Sequence, residues 1–490
     1  MIGLVVLVAA FPLAGSIAAL SGARRWWGPA AVAGGLGAVG SALALAVRVA
    51  EMGPFEAWGG FVYVDPLSTF FLVTIAVVVA LASMGSVAYL RAEEHARALS
   101  SFQVRLYLGF FGAFAALMLA SVEAGNLGLL WVLVEASTLA SAVLVALEAR
   151  ATSLEAAWKY IIISSFGVTI ALVGTLFVFY AATSLGLGAN RELTWVSLFQ
   201  HAAGLRTQSL KLGFLLAVIG YGTKVGLAPM HTWLPDAHSE APSPASAILS
   251  AALLTTGMYA IIRFRAIAEA GVGSRYPDAV LLTFGFLSIT LAALFMVRRG
   301  NFKRLFAYSS IEHMGIIAVA LGFGGTLGLY GALLQILGHA IGKAVLFLAG
   351  GDVVLRYRTR TAAEVHGALD TMPVAGGVLL LASLAIVGSP PFGLFLSEFT
   401  IVRAGFANSS ALLAGFLLLL LVIAFVFFLR TSTSMAVGQG PPRESPYPSA
   451  AVRLLAGTPL ITGLLLLLVL GVWIPAALNQ LILHSIRAIT

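Results

Sequence analysis

Long apolar runs recur along almost the whole chain and constrain its fold more than any other feature. Of the 490 residues, 60% are hydrophobic and only 10% are charged, whereas a soluble protein has about 25% charged residues. A run of roughly twenty apolar residues spans a bilayer as an α-helix, because a helix satisfies its own backbone hydrogen bonds in lipid. The sequence is therefore predicted to form an all-α polytopic membrane protein.

The apolar runs predict fourteen transmembrane spans within a single membrane domain, residues 1–490. The predicted spans are 2–21, 28–50, 65–90, 105–122, 126–147, 159–182, 211–229, 243–264, 278–297, 305–323, 327–350, 372–404, 411–429 and 454–477. The first run, Ile2–Leu20, has no basic stretch before it, so we expect a retained span and not a cleaved signal peptide.

Two spans contain residues that interrupt a helix. The twelfth includes Gly388–Gly393, where two adjacent prolines lie between glycines and cannot continue a helix. The seventh ends with Gly226 and Pro229. Broken helices at spans seven and twelve are therefore predicted, and interrupted helices in the two halves of a transporter indicate its functional centre.

Basic residues are distributed unevenly between the two sets of loops. Loops after odd-numbered spans contain 17 of the 28 lysines and arginines, among them Arg298 and Arg299, and the other loops contain nine. The positive-inside rule then predicts that both termini lie on the non-cytoplasmic side of the cell (inner) membrane. The remaining two, Lys224 and Lys343, lie inside predicted spans.

Ionisable residues in the middle of the first seven spans are few, and each costs about 2.5–3.5 kcal/mol in lipid. Glu135 is the only charged residue of Leu127–Leu147, and Lys224 lies in the glycine-rich segment Gly220–Pro229. A buried carboxylate and a buried lysine can exchange protons when neighbouring charges shift their pKa values. A carboxylate satisfied by a neighbouring hydroxyl or lysine is the alternative for Glu135.

The second half has a similar set of polar residues. Gln335, His339 and Lys343 have i, i+4, i+8 spacing and share one helix face. His313 follows Glu312 in the tenth span, and Glu398 follows the double-proline break. We interpret Glu135, Lys224, His313, His339, Lys343 and Glu398 as a proton relay. A local hydrogen-bonded plug is the alternative for Glu312 and His313.

The segment after span seven contains His231, Asp236, His238 and Glu240. The first three are candidate residues for proton uptake from the cytoplasm, and helix capping with loop hydrogen bonding is the alternative. Neither a metal site nor a cofactor site is predicted. With no cysteine in the chain, a cysteine-ligated iron–sulfur cluster is excluded. The net charge of +8 includes no basic cluster interleaved with aromatic residues, so no nucleic-acid partner is predicted.

Three segments resemble signatures of one known family. Lys224–Ala247 is similar to the core signature of the antiporter-like subunits of complex I, the Mrp antiporters and the membrane-bound hydrogenases. Asn301–Gly315 and His339–Leu348 resemble a second and a third signature. Tyr308–Met314 and Pro390–Phe399 look most like the component F type of group 4 hydrogenases, such as hydrogenase-4.

This resemblance implies two inverted five-helix repeats, spans four to eight (105–264) and nine to thirteen (278–429). Three spans (1–104) would precede them and one span (430–490) would follow them. It also implies an essential glutamate at Glu135, an essential lysine at Lys224, a middle relay at His313, His339 and Lys343, and a terminal relay group at Glu398. Many relatives have a lysine or histidine in span eight, where this chain has Ser250, Thr255 and Thr256. We therefore predict a water-filled link held by Ser250 and Thr255.

The implied function is proton translocation by one membrane subunit of a redox-driven ion pump. The expected partners are other membrane subunits and a soluble hydrogenase or dehydrogenase arm that carries the metal centres, because this chain has no redox centre of its own. Two alternatives remain open: a sodium/proton antiporter subunit of Mrp type, and a non-conducting membrane scaffold for the redox arm.

Overall fold

The computed structural model describes residues 1–21, 24–186, 188, 191–298, 300–408 and 411–490. Arg299, one of the loop arginines used to predict orientation, lies outside these residues.

The described residues form α-helices joined by short connections, with one small hairpin. The first eleven helices are α1 Ile2–Ser21, α2 Arg24–Met52, α3 Pro66–His95, α4 Ser101–Glu123, α5 Leu127–Val145, α6 Ala151–Ala182, α7 Trp195–Gln200, α8 Thr207–Val225, α9 Trp233–Glu240, α10 Ser243–Ile248 and α11 Leu254–Val272. They are followed by α12 Arg275–Met296, α13 Phe302–Phe323, α14 Gly325–Tyr357, α15 Ala368–Thr371, α16 Pro373–Ile386, α17 Gly393–Ala407, α18 Ala411–Ala436, α19 Ala450–Val472 and α20 Ala476–Arg487. The antiparallel strands are β1 Phe55–Ala57 and β2 Val62–Val64, and a π-helical turn, Leu249–Leu253, joins α10 to α11.

Twelve helices of the described chain are long and apolar enough to cross a membrane. They correspond to all of the fourteen predicted spans except the seventh and the twelfth. The seventh span is α8, which is followed by the short α9, and the twelfth is divided into α16 and α17. The structure is thus that of an all-α polytopic membrane protein with about twelve candidate spans.

Both predicted helix interruptions are present in the structure. α8 ends at Val225, the next residue, Gly226, adopts φ 82°, and the following α-helix begins at Trp233. α16 ends at Ile386, Gly388 adopts φ 69°, and α17 begins at Gly393. A positive φ is readily adopted only by glycine, so each interruption is encoded by a glycine as well as by prolines.

The most buried helices lie in the middle of the molecule and hold the polar residues. The spans formed by α10–α11 and by α14 are buried along their whole apolar length, and α13 is almost as enclosed. In contrast, α1, α2, α18 and α19 have many large exposed apolar side chains. Exposed apolar surface of this kind suits contact with lipid, whereas the enclosed helices can keep polar groups away from it.

Loop arginines predicted to share one side of the bilayer meet at one end of the bundle. Arg358 pairs with Glu93 at 2.7 Å. Arg360 reaches Glu148 and Glu240, both at 3.2 Å. We call this the arginine-rich end.

Three basic residues that were counted with the loops in the sequence are buried. The eighth span was predicted to end at residue 264, but α11 continues to Val272 and encloses Arg263 and Arg265. Lys303 is the second residue of α13 and is also buried. A buried charge requires a compensating partner. Arg265 has carboxylate partners in Glu269 (2.5 Å) and Asp278 (3.0 Å), and Lys303 donates to the Ala241 carbonyl at 2.5 Å.

The connection between α6 and α8 contains the short helix α7, which is not confined to the surface. Trp195 is buried, and the Arg263 guanidinium lies 3.7 Å from the centre of its indole ring. Arg263 in turn makes two hydrogen bonds to Asp65, the N-cap residue of α3, at 2.6 and 2.9 Å. These contacts join α3, α7 and α11 at the end of the bundle opposite the arginine-rich end.

Candidate functional site

Lys224 occupies the last turn of α8, immediately before the interruption at Gly226. It is fully buried. Its ammonium donates to the Thr138 hydroxyl of α5 at 2.6 Å and to the Tyr160 hydroxyl of α6 at 2.9 Å. Both acceptors are neutral, so the proton on Lys224 is held by hydroxyl groups and not by a direct carboxylate contact.

Glu135 lies one turn before Thr138 on α5. One carboxylate oxygen accepts a hydrogen bond from Ser165 at 2.5 Å, and the other accepts from Thr138 at 3.3 Å. The Thr138 hydroxyl therefore connects Glu135 to Lys224. Glu135 itself is only half-buried, and its neighbours on α5, Val132 and Leu139, are 51% and 57% exposed, so this carboxylate lies near the outer surface of the bundle.

Tyr160 extends the first cluster towards α9. Its hydroxyl also hydrogen-bonds Ser141 at 2.7 Å, and its ring lies 4.6 Å from that of Trp233. The Trp233 indole donates to the Thr223 carbonyl at 2.8 Å, next to Lys224. The first half of the chain thus has one connected polar cluster, built from α5, α6, α8 and α9.

A second cluster joins α13, α14 and α17. The Gln335 amide nitrogen lies 2.8 Å from His313 Nδ1, and its oxygen accepts from the Ser397 hydroxyl. The His313 and His339 rings are 5.2 Å apart between centroids. The sequence predicted that Gln335 and His339 share a face of α14, and the structure places His313 against this face.

His339 also contacts the π-helical turn between α10 and α11. Its Nε2 lies 3.3 Å from the Ser250 carbonyl oxygen, and the Ser250 and Ser310 hydroxyls are 2.8 Å apart. Single π-helical turns inside α-helices are frequent at functional sites. Of the two residues predicted for a water-filled link, Ser250 is beside His339, whereas the Thr255 hydroxyl donates to Ala251 of its own helix at 2.6 Å.

Lys343 completes the second cluster. Its ammonium donates to the Phe306 carbonyl at 3.0 Å and lies 5.8 Å from the centre of the Phe428 ring. Glu312 interacts electrostatically with both Lys343 and Glu398. Glu312 is thus within electrostatic range of the buried lysine and of the carboxylate associated with the second helix interruption.

Glu398 lies on α17, but its carboxylate folds back against Gly388, so that a Cβ at position 388 would overlap it. Lys224 and Glu398 are thus both placed at a broken helix, although Lys224 precedes its interruption and Glu398 follows its own. The two residues therefore share a location at an interruption but not their order along the chain.

The three candidate uptake residues lie in different surroundings. Asp236 is at the arginine-rich end, paired with Arg304 at 2.8 Å and Lys159 at 3.3 Å. The His231 ring lies 6.4 Å from Phe295. His238 is fully buried, and neither of its ring nitrogens has a hydrogen-bond partner among the described residues.

Four residues next to these sites were not predicted from the sequence as functional. They are Thr138, Tyr160, Ser165 and Lys303. Thr138 follows Glu135 by three positions, so helical spacing could have indicated it. Tyr160, Ser165 and Lys303 belong to other helices, and a single sequence contains no signal for such contacts. No group of three or more potential metal ligands occurs among the described residues.

The chain is similar in sequence to known membrane proteins. Residues 124–424 match the model of a family described as NADH:quinone oxidoreductase/Mrp antiporter, TM. The chain is 37% identical to a hydrogenase-4 component F homologue of Methylacidiphilum infernorum, over 87% of this chain and 88% of the relative. It is 31% identical to hydrogenase-4 component B of Escherichia coli, over 70% of this chain but only 51% of that longer protein.

Similar folds occur in three solved membrane complexes. The chain superimposes on a subunit of the archaeal membrane-bound sulfane sulfur reductase with a TM-score of 0.86 and 24% identity, covering 99% and 97% of the two chains. For the Mrp complex of Dietzia the TM-score is 0.83 at 19% identity, with 100% and 97% coverage. For complex I of Thermus thermophilus it is 0.82 at 24%, with 99% and 100% coverage. At these identities the structures establish a shared fold, while the family match and the 37% relative establish membership: the chain belongs to the antiporter-like membrane subunits of the complex I, Mrp antiporter and hydrogenase superfamily.

Proposed function

We propose that this subunit translocates protons through its two buried polar clusters, driven by redox chemistry in a soluble arm of the same complex. The observation that carries the proposal is that each cluster contains a buried lysine that donates to neutral oxygens and a residue at a broken helix. That residue is Lys224 itself in the first cluster and Glu398 in the second. A non-conducting anchor gains nothing from such groups, which are costly in a membrane.

The Glu135–Thr138–Lys224 contact would be the switch of the first half. When Glu135 is ionised and close, it favours the protonated ammonium of Lys224. At an effective dielectric of about 20, increasing the separation of two unit charges from about 4 to 8 Å changes their energy by roughly 2 kcal/mol. This energy exceeds the roughly 1.4 kcal/mol that corresponds to a tenfold change in proton affinity, so separation of the two groups would favour loss of the proton from Lys224.

The released proton would reach Lys343 and then Glu398. Trp233 and His238 lie between the clusters, because the Trp233 ring contacts Tyr160 on one side and is 6.4 Å from His238 on the other. His238 interacts electrostatically with Lys343. From Lys343, Glu312 leads to Glu398. Water near Ser250 would supply the remaining hydrogen bonds.

The arrangement of the two clusters supports two inverted repeats, residues 105–264 and 278–429, flanked by 1–104 and 430–490. The second helix of each proposed repeat carries a membrane glutamate, Glu135 on α5 and Glu312 on α13. The fourth helix of each is the interrupted one. Under the positive-inside rule the arginine-rich end would face the cytoplasm, with both termini on the opposite side.

A pair of variants on one helix tests proton translocation. Lys224→Met removes the buried ammonium, and Lys211→Met removes the lysine about 20 Å away along α8. In proteoliposomes containing the assembled complex, we expect Lys224→Met to abolish redox-driven proton uptake while the soluble arm still turns over. Lys211→Met should retain uptake. Wild-type uptake by the Lys224→Met complex would refute the assignment.

The same vesicles distinguish the alternatives. Uptake that persists when choline replaces sodium supports proton translocation, whereas strict sodium dependence would favour a sodium/proton antiporter. If wild-type stoichiometry survives simultaneous replacement of Lys224, Lys343 and Glu398, the subunit is a scaffold. The electron-carrying partner would be identified by whether the purified complex oxidises hydrogen or a reduced nicotinamide.

A further inference from the structure

A cavity of about 920 Å³ opens at the arginine-rich end of the bundle, separate from both polar clusters. It lies between the beginning of α2, the end of α3, the beginning of α4 and the segment that leads into α19. Its charged lining consists of Arg24, Arg25, Arg91, Glu94, His95 and Arg97. We call it the basic cavity.

Only part of the positive charge around the basic cavity is neutralised. Glu94 is the one carboxylate among its described lining residues, and it is occupied by Arg24 at 2.6 Å and by the Ser101 hydroxyl at 2.6 Å. Within the described chain, no carboxylate lies within 4.0 Å of Arg25, Arg91 or Arg97. Three guanidinium groups around one cavity repel each other, and a bound anion would offset this repulsion.

The surroundings of the cavity indicate that the anion is attached to an apolar group. Its inner wall includes Leu90, Val104 and Leu108. Trp26 is 55% exposed, and Arg25 lies 5.6 Å from the centre of its ring. Exposed tryptophan beside arginine is typical of the membrane–water interface. Beyond it, α2 continues as an apolar surface whose Leu36 is 52% exposed.

We propose that the basic cavity binds the headgroup of an anionic phospholipid. Its phosphate contacts Arg25, Arg91 and Arg97, and its acyl chains lie along the exposed side of α2. Basic pockets between transmembrane helices are suited to such headgroups. The headgroup lies between α2 and α3, and Val452 at the beginning of α19 packs on Ala88 of α3. Lipid binding therefore stabilises the association of these three helices.

Two variants with equal loss of charge test this proposal. One is Arg25→Gln/Arg91→Gln/Arg97→Gln, and the control is Arg48→Gln/Arg275→Gln/Arg487→Gln, three exposed arginines at other helix ends. The full chain in delipidated detergent solution is titrated with phosphatidylglycerol, phosphatidylcholine or inorganic phosphate, and binding and thermal unfolding are measured. We expect phosphatidylglycerol alone to raise the Tm of the wild type and the control, and the cavity variant to bind it at least tenfold more weakly.

Three results would overturn the proposal: an equal Tm increase with phosphatidylcholine, an equal increase with inorganic phosphate, or unchanged phosphatidylglycerol binding by the cavity variant. If the cavity variant does not fold, photoreactive phosphatidylglycerol cross-linked to the wild type provides the test. Labelling of peptides that contain Arg25, Arg91 or Arg97 supports the site, and labelling confined to other peptides refutes it.

Discussion

At the scale of single residues, the Thr138 hydroxyl is the contact on which the first cluster depends. It accepts a hydrogen bond from Lys224 and donates one to Glu135. Thr138→Val keeps the shape of the side chain and removes both. Because a hydrogen bond to a charged group contributes about 1.5–3 kcal/mol, we expect redox-driven proton uptake to fall by about tenfold to a hundredfold. Uptake is measured in proteoliposomes with the assembled complex.

The control for this prediction is Thr175→Val. The Thr175 hydroxyl is equally buried but donates to the Ala171 carbonyl of its own helix at 2.9 Å. It has no contact with an ionisable group of either cluster among the described residues. An equal loss of uptake in both variants would mean that the effect is one of general packing and not of the Glu135–Lys224 connection.

Candidate functional residues could be predicted from the sequence wherever an ionisable side chain interrupts an apolar run, as at Lys224 and Glu398. What could not be predicted is which neighbours satisfy these groups. Tyr160 comes from a different helix, and its contact with Lys224 depends on how α6 packs against α8. Arg263 was counted as a loop residue, because a charged residue near the end of an apolar run indicates the end of a membrane helix unless its buried partner is known.

At the scale of helices, Gly388 determines the second interruption and the place of Glu398. The left-handed conformation of Gly388 costs about 1–2 kcal/mol for a residue with a Cβ, and a Cβ there would also overlap the Glu398 carboxylate. We expect Gly388→Ala to lower the Tm of the full chain modestly. Displacement of the carboxylate should lower proton uptake more strongly, by about a hundredfold.

A matched control lies on the same half-helix. A Cβ at Gly377 of α16 would have only the end of the Leu369 side chain nearby, at 3.9 Å. Gly377→Ala should therefore leave thermal unfolding and uptake close to those of the wild type. If Gly388→Ala lowered the Tm but retained full uptake, the position of Glu398 at the interruption would have no role in translocation.

The interruptions themselves could be predicted, because proline and glycine act on the backbone locally. Tertiary contacts could not. α11 extends beyond its predicted end because Arg263 and Arg265 find carboxylates on α3, α11 and α12. The hydropathy pattern contains no information about these partners, so the predicted boundary fell between the two arginines.

At the scale of the whole molecule, the Asp65–Arg263 ion pair joins the first three spans to α11. Both side chains are almost completely buried. Arg263→Met leaves the Asp65 carboxylate without its partner, so we expect the free energy of unfolding to fall by about 3–5 kcal/mol. Asp65→Leu combined with Arg263→Met should recover much of this loss, since it removes both charges. Thermal unfolding of the full chain in detergent measures the difference.

An exposed pair provides the comparison. Arg48 and Glu51 are 3.9 Å apart and largely exposed, and such pairs contribute about 0–1 kcal/mol. Arg48→Met should therefore change the Tm very little. Equal effects of Arg48→Met and Arg263→Met would show that the buried pair does not hold the N-terminal helices to the rest of the bundle.

His238 tests whether the two halves of the molecule work as one path. It is buried between Trp233, which contacts the first cluster, and Phe347, whose ring is 5.3 Å away on α14. Its electrostatic neighbours are Lys303 and Lys343. If protons cross between the clusters, the His238 imidazole, which lies between Trp233 and Phe347, is in position to carry them. His238→Gln should then reduce uptake by at least about a hundredfold, the contribution typical of a positioned proton-transfer group, without abolishing assembly.

His201→Gln is the control, because His201 is exposed on the connection after α7. It should behave as the wild type in the same vesicles. The result that would contradict a single path is a half loss in each variant. If His238→Gln and Lys224→Met each retained half of the protons translocated per turnover, the two clusters would conduct independently from one side of the membrane to the other. The buried residues of α10, α11 and α14 between the clusters would then separate two paths, because a single relay blocked at any one group cannot retain half of its stoichiometry.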